Sequence, residues 1–190
     1  HINEYWKSMK TLNNFLETTE YRWIRTQYVE DGKYVSAIKH IVEHKPKFIV
    51  EYGGGKSTLM ITELVNYLDY GGKVIGYEND ESFYNQYIEM GWNKHNNIKL
   101  VDVVQFDKGN RSYIKYNHPM KDIKGVDFVI IDGPNLRKFE PFPYSTTNLE
   151  DIVEHLGYEI FYFIDGRLGT KKYYDELGYT KNIGDKKNEI

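Results

Sequence analysis

Five short apolar runs, each followed by a stretch of helical periodicity, limit what this chain can fold into more than any other feature. Phe48-Ile49-Val50, Lys73–Glu78 and residues 98–104, 126–131 and 160–164 read as strands, being brief, β-rich and bounded by turn residues. Residues 126–131 form a nearly unbroken apolar run, as expected of a strand buried on both faces. Between the strands, apolar residues recur at helical spacing: Tyr34, Val35, Ile38, Ile41 and Val42; then Met60, Leu64, Tyr67 and Leu68; then Phe83, Tyr84, Tyr87 and Ile88. Lys45-Pro46, Gly71-Gly72 and Gly91 stop these three helices. Residues 147–156 and 170–177 predict two more.

Such alternation predicts an α/β fold: a doubly wound, mainly parallel sheet with helices on both faces, in three layers. In these sheets ligands bind beyond the carboxyl ends of the strands, where strand order reverses. The 190 residues suffice for one domain with a real core. Residues 1–45 predict a helical arm whose aromatics (Tyr5, Trp6, Phe15, Tyr21, Trp23) pack on the domain. Residues 46–183 predict the core, and 184–190 a charged, frayed tail. Hydrophobic residues at 40% and charged residues at 28% match a globular chain rather than a disordered one.

Two compositional facts remove function classes. The absence of cysteine excludes disulfides, thiolate nucleophiles and Cys-based zinc sites. A net charge of -3 lacks the basic surplus of proteins that grip nucleic-acid phosphates, which disfavours nucleic acid as partner. No apolar run approaches the roughly 20 residues of a membrane span, and the first residues lack the apolar core of a signal peptide. A soluble, cytoplasmic protein with no membrane contact is therefore expected.

The most specific motif is Glu51-Tyr52-Gly53-Gly54-Gly55-Lys56-Ser57-Thr58, which follows the first strand and opens a helix that Ser57 is placed to cap. Glycines suit a tight strand-to-helix turn and let a ligand approach the backbone. A second acid, Glu78, ends the next strand in Gly76-Tyr77-Glu78-Asn79. A carboxylate there offers two acceptors in one plane for the two hydroxyls of a ribose.

The stretch from Phe48 to Thr58 resembles the first motif of the class I S-adenosylmethionine-dependent methyltransferases: a strand ending in an acid, then Gly-x-Gly. Strand order and motif placement extend the likeness to about Tyr179. The resemblance implies a Rossmann-like fold that binds S-adenosylmethionine on the loop Glu51, Tyr52, Gly53, Gly54, Gly55 and Ser57. Gly53 and Gly55 would line the methionine and ribose portion, and Glu51 would act through the amino end or a bridging water. Glu78 and Asn79 would hold the ribose, and Asp107, after the third strand, would contact adenine. Little chain follows the fifth strand, so the antiparallel hairpin that closes the family's sheet is expected to be shortened or absent, with residues 179–183 supplying at most one strand.

Two nucleotide-binding motifs overlap the same residues. Gly55-Lys56-Ser57 ends like a P-loop, and Phe128 to Asp132 resembles the hydrophobic strand with an acid that completes one. The first P-loop glycine would fall at Val50, inside the strand, and Glu51 would repel a polyphosphate. A dinucleotide fingerprint wants a third glycine where Thr58 stands.

Two Asp-Gly turns follow adjacent strands: Asp132-Gly133-Pro134-Asn135 and Asp165-Gly166-Arg167. Both are ordinary turn formers, yet together they place Asp132 and Asp165 side by side at the ligand edge. By the resemblance, Asp132 contacts the methionine end. Asp-Gly-Pro-Asn departs from the Asp/Asn-Pro-Pro-aromatic signature of enzymes that methylate amino groups of bases, which favours a hydroxyl of a small molecule or sugar as acceptor. Asp132 and Asp165 would then orient or deprotonate it, directly or through Mg²⁺. Arg167 is expected in a structural ion pair, Lys56 at the surface, the histidines His95, His118 and His155 at the surface or in capping roles, and Tyr144, Ser145 and Thr146 in a loop over the acceptor. A non-catalytic nucleoside-binding or interaction module of the same fold, and a P-loop nucleotide hydrolase, are the alternatives.

Overall fold

The computed structural model describes Lys10, Asn14, Phe15, Glu17 and residues 34–184. Helix α1, Val35–His44, stops where Lys45 turns left-handed (φ 48°) and returns its N–H to the Ile41 carbonyl. Strand β1, Phe48–Tyr52, leads through the glycine loop into α2, Lys56–Leu68; β2, Lys73–Glu78, leads into α3, Glu81–Glu89. Then come β3 (Ile98–Leu100), β4 (Val103–Lys108), β5 (Arg111–Tyr116), β6 (Phe128–Ile131), β7 (Ser145–Thr146), α4 (Asn148–Leu156), β8 (Phe161–Ile164) and α5 (Leu168–Glu176).

The central sheet has five parallel strands in the order β3-β2-β1-β6-β8. Numbered within that sheet alone the order is 3-2-1-4-5, the Rossmann-like arrangement. Every residue of β1 and β6 is buried because both faces are covered. Ile49, Phe128 and Ile130 pack with Ile38 and Ile41 of α1 and with Met60, Ile61 and Leu64 of α2. Their strand neighbours Val50, Val129 and Ile131 face the other way, onto Tyr113 and Tyr116 of β5, Leu149 and Ile152 of α4, and Tyr173 and Tyr174 of α5.

The structure departs from the sequence reading between residues 98 and 125. The third strand ends at Leu100 rather than running to Val104. Residues 103–116 form an antiparallel hairpin, joined by β7 in a separate three-stranded sheet, β4-β5-β7. Gly109-Asn110 between two β-rich runs is the hairpin signal that locates it. Ser145 and Thr146 are therefore strand residues, fully buried, and not a lid. The cap of α2 also differs. Gly55 occupies the N-cap position, and its N–H donates to Thr58 Oγ1 at 2.9 Å, while Ser57 lies within the helix.

Beyond β8 the described chain adds one parallel bridge, Tyr162 to Asn182, so among the described residues the closing hairpin is absent. Phe15 is buried in the core against Tyr67. Tyr5, Trp6, Tyr21 and Trp23, and tail residues 185–190, lie outside the described residues. No described helix is long and apolar enough to cross a membrane.

Candidate functional site

Strand β1 pairs with β2 on one side and β6 on the other, so the chain leaves the sheet in opposite directions at their carboxyl ends. A cleft of about 190 Å³ opens there. Gly53 and Glu78 both line it, together with Asn79, Asp132 and Gly133, which brings the first and second sequence motifs to one place.

Glu78 is 7% exposed, and burial raises its carboxyl pKa above the ordinary value. Its Oε1 accepts the backbone N–H groups of Asn79 and Asp80, each at 2.7 Å. Among the described residues nothing donates to Oε2. One oxygen is therefore engaged in the turn and one is not, where the sequence suggested two open acceptors. Asp80 caps α3 through Oδ1, with Ser82 N–H at 3.0 Å and Phe83 N–H at 3.2 Å, and its Oδ2 pairs with Lys138 on the far wall. Phe83 and Tyr87 of α3 complete an aromatic side.

The glycine loop is held differently from a phosphate cradle. The N–H groups of Gly53 and Gly54 both donate to the Tyr77 carbonyl, at 2.9 and 2.8 Å. Gly53 has φ +92°, and a Cβ there would stand 2.6 Å from the carbonyl carbon of Asp132. Gly54 abuts the Gly76 backbone and Gly55 abuts the Tyr87 ring. Of the three glycines, Gly53 lines the cleft and Gly55 is covered by Tyr87.

Behind the cleft lies a buried polar cluster. Glu51 is fully buried on the α1 side of the sheet. Tyr34 Oη is 3.0 Å from Glu51 Oε1 and 3.0 Å from Asp132 Oδ2. Thr58 donates its hydroxyl to Glu51 Oε2, and Ser57 also hydrogen-bonds the carboxylate. Burial outweighs these donors and pushes the Glu51 carboxyl up to about 7. Glu51 and Ser57 thus belong to the core of the loop and are not on the cleft wall.

Neither a protein-family model, nor a curated protein, nor a solved structure matches the chain.

The remaining sequence candidates divide cleanly. Asp132 lines the cleft, and Arg167 steadies it by donating to the carbonyls of Asp132 and Pro134, the latter at 2.6 Å. Arg167 Nη2 also lies 3.8 Å from Asp132 Oδ1, the structural pairing expected. Asp165 sits on the neighbouring strand end, its N–H on the Ile131 carbonyl at 3.0 Å, but is not part of the cleft lining. Tyr52 points into the core, where its hydroxyl meets His118 Nε2 at 2.8 Å. His118 is half-buried: its ring stacks on Tyr77 with centroids 4.3 Å apart, and burial lowers its pKa. Lys56 lies over the Trp92 ring at 5.1 Å. His95 pairs with Glu63, and His155 is exposed at the end of α4. Asp107 is exposed on β4, paired with Ser112 in the second sheet, because the chain turns away after Leu100. It does not line the cleft.

Of the two carboxylates proposed for Mg²⁺, only Asp132 lines the cleft. Among the described residues no three metal-ligating side chains converge. Asp132 is engaged by Tyr34 and Arg167. The sequence reading also missed Lys138, Phe83 and Tyr116 as cleft residues. Nothing local marks them, since each reaches the cleft only through the tertiary fold.

Proposed function

We propose that this chain is an S-adenosylmethionine-dependent methyltransferase that acts on a hydroxyl of a small molecule or sugar. The observation that carries the reading is Glu78 Oε2, an unengaged carboxylate oxygen that meets Gly53 and Asp132 in one cleft at the strand-order reversal. In this reading Glu78 accepts a ribose hydroxyl, Phe83 and Tyr87 bound the nucleoside, and Gly53 allows close backbone approach. When bound, S-adenosylmethionine supplies an already activated methyl group. The protein's part is to align the acceptor, and Asp132 receives the proton that a hydroxyl must lose. Asp165, one strand away, does not line the cleft and takes no part in this reading.

The cleft's charge favours a neutral or cationic ligand over a polyanion, since Glu78, Asp80 and Asp132 face Lys138 and Arg167. Its 190 Å³ is less than the roughly 300–1,000 Å³ of small-molecule sites, so a whole cofactor extends beyond it or parts the Asp80–Lys138 pair. The P-loop alternative loses support because the loop N–H groups are bonded to Tyr77 and Lys56 rests on Trp92. A nucleoside-binding module without turnover is the second reading, favoured by the engagement of the Asp132 carboxylate by Tyr34 and Arg167.

Calorimetry with S-adenosylhomocysteine tests the proposal. Glu78→Gln keeps an oxygen for the two backbone donors and sets an amide donor against a ribose hydroxyl. Affinity is expected to fall roughly tenfold or more, the scale of one charge-assisted hydrogen bond. No binding by the unmodified protein, or equal binding by the variant, would refute it. Binding without methyl transfer to any hydroxylated acceptor selects the second reading.

A further inference from the structure

Tyr116 stands at the floor of the cleft, between the two loops that define it. A Cβ placed on Gly133 would collide with its hydroxyl and would lie 2.7 Å from Gly53 N, so the hydroxyl, Gly133 and Gly53 meet at one point. The residue is 2% exposed, and among the described residues its hydroxyl has no hydrogen-bond partner. Its placement is rigid. The Tyr116 N–H donates to Asn148 Oδ1 at 2.9 Å, Asn148 Nδ2 returns a bond to the Tyr116 carbonyl at 3.0 Å, and the ring packs 5.3 Å from that of Tyr52.

A buried hydroxyl without a partner costs free energy, and a ligand that supplies the partner recovers it. A second orphan lines the same cleft. Arg167 Nε is buried and has no partner among the described residues, while its two terminal nitrogens hold the carbonyls of Pro134 and Asp132. Both orphans are N–H or O–H donors, so what they lack is an acceptor. Burial, and next the Glu78 carboxylate, hold the Tyr116 pKa well above its ordinary value, which keeps the phenol a donor.

We propose that Tyr116 is a binding residue of the cleft whose hydroxyl donates to an acceptor oxygen of the bound nucleoside cofactor. The inference rests on the reading of the cleft as an S-adenosylmethionine site. Two sources of that oxygen fit the same chemistry, the sugar of the nucleoside and the carboxylate of its aminoacyl end.

The test is Tyr116→Phe, measured for thermal unfolding and for binding of S-adenosylhomocysteine and 5′-methylthioadenosine. Removing an orphaned hydroxyl leaves the fold as stable as before or raises Tm, by ~2–4 °C per kcal/mol recovered. Removing a ligand contact weakens affinity, here roughly tenfold. The opposite signs are the signature, because a merely structural hydroxyl lowers Tm when deleted. A penalty confined to S-adenosylhomocysteine assigns the oxygen to the aminoacyl end; a penalty shared by 5′-methylthioadenosine assigns it to the nucleoside. Tyr70→Phe is the control. Its hydroxyl is likewise buried without a partner among the described residues but lies outside the cleft, so Tm holds or rises and binding does not change. Unchanged affinity in Tyr116→Phe for ligands that the unmodified protein binds, or a fall in its Tm, overturns the role of Tyr116 and leaves the cofactor reading standing. Failure of the unmodified protein to bind either ligand overturns both.

Discussion

Gly53→Ala is expected to destabilise the fold by ~3 kcal/mol or more, a large share of the ~5–15 kcal/mol that holds a domain folded. Two costs add. The backbone at φ +92° is one that side-chain-bearing residues rarely adopt. The new methyl would also stand 2.6 Å from Asp132 C and Gly133 Cα, and these are backbone atoms that cannot swing aside. Gly55→Ala supplies the contrast. Its Cβ would meet the far end of the Tyr87 side chain at 3.0 Å, which a small rotation relieves, so the cost stays within about 1 kcal/mol. Urea unfolding of both variants checks this: a much lower midpoint for Gly53→Ala and a near-normal one for Gly55→Ala, with unchanged slopes. Equal midpoints would mean that the two loops do not touch as described.

Glu51 is expected to make stability fall as pH rises. Its carboxyl titrates near the ordinary 4.5 in an unfolded chain and at about 7 in the fold, chiefly because of burial. Below the lower value both states are protonated, and the group's contribution is fully present. Between the two values the unfolded chain ionises while the folded one keeps its proton, so the balance shifts toward unfolding. Above about 7 the loss is complete, at ~3 kcal/mol for a shift of this size. His40 opposes this over part of the range. Burial lowers its pKa from 6.5 to about 4, so its contribution is lost as pH falls. The comparison that isolates Glu51 is therefore with Glu51→Gln, not with the bare pH profile. Across about pH 4 to pH 8 the variant should gain ~3 kcal/mol on the parent, with most of the gain between 4.5 and 7. A constant difference in unfolding free energy would show that the Glu51 carboxyl titrates alike in the folded and the unfolded chain.

The cluster around Glu51 also explains why a glycine-loop acid can be misread. In the sequence, Glu51 ends a strand beside three glycines, where an acid is as well placed for a ligand as for the core. What decides between them is Tyr34, seventeen residues upstream on the chain and outside the strand–loop motif, whose hydroxyl reaches both Glu51 and Asp132. Ser57 and Thr58 then complete the carboxylate's partners from α2. Asp107 shows a different failure. Its position in the sequence follows a β-rich run, but that run bends at residues 101–102 and continues into another sheet, which removes it from the strand ends where ligands collect.

Local pattern alone determined the five parallel strands, the helices between them and the placing of the glycine loop and Glu78 at strand ends. Hydrophobic periodicity and turn residues act within a few positions of one another, and a parallel strand buried on both faces leaves a run that no surface segment imitates. Which polar groups face the cleft was decided by the tertiary fold. Glu78 Oε2 is left unengaged because two backbone N–H groups take its partner oxygen, and Tyr116 arrives at the cleft from a hairpin that lies under the sheet rather than in it. Hydrogen-bond saturation depends on groups far apart along the chain, and a single donor from a distant element moves a carboxylate from the ligand to the core.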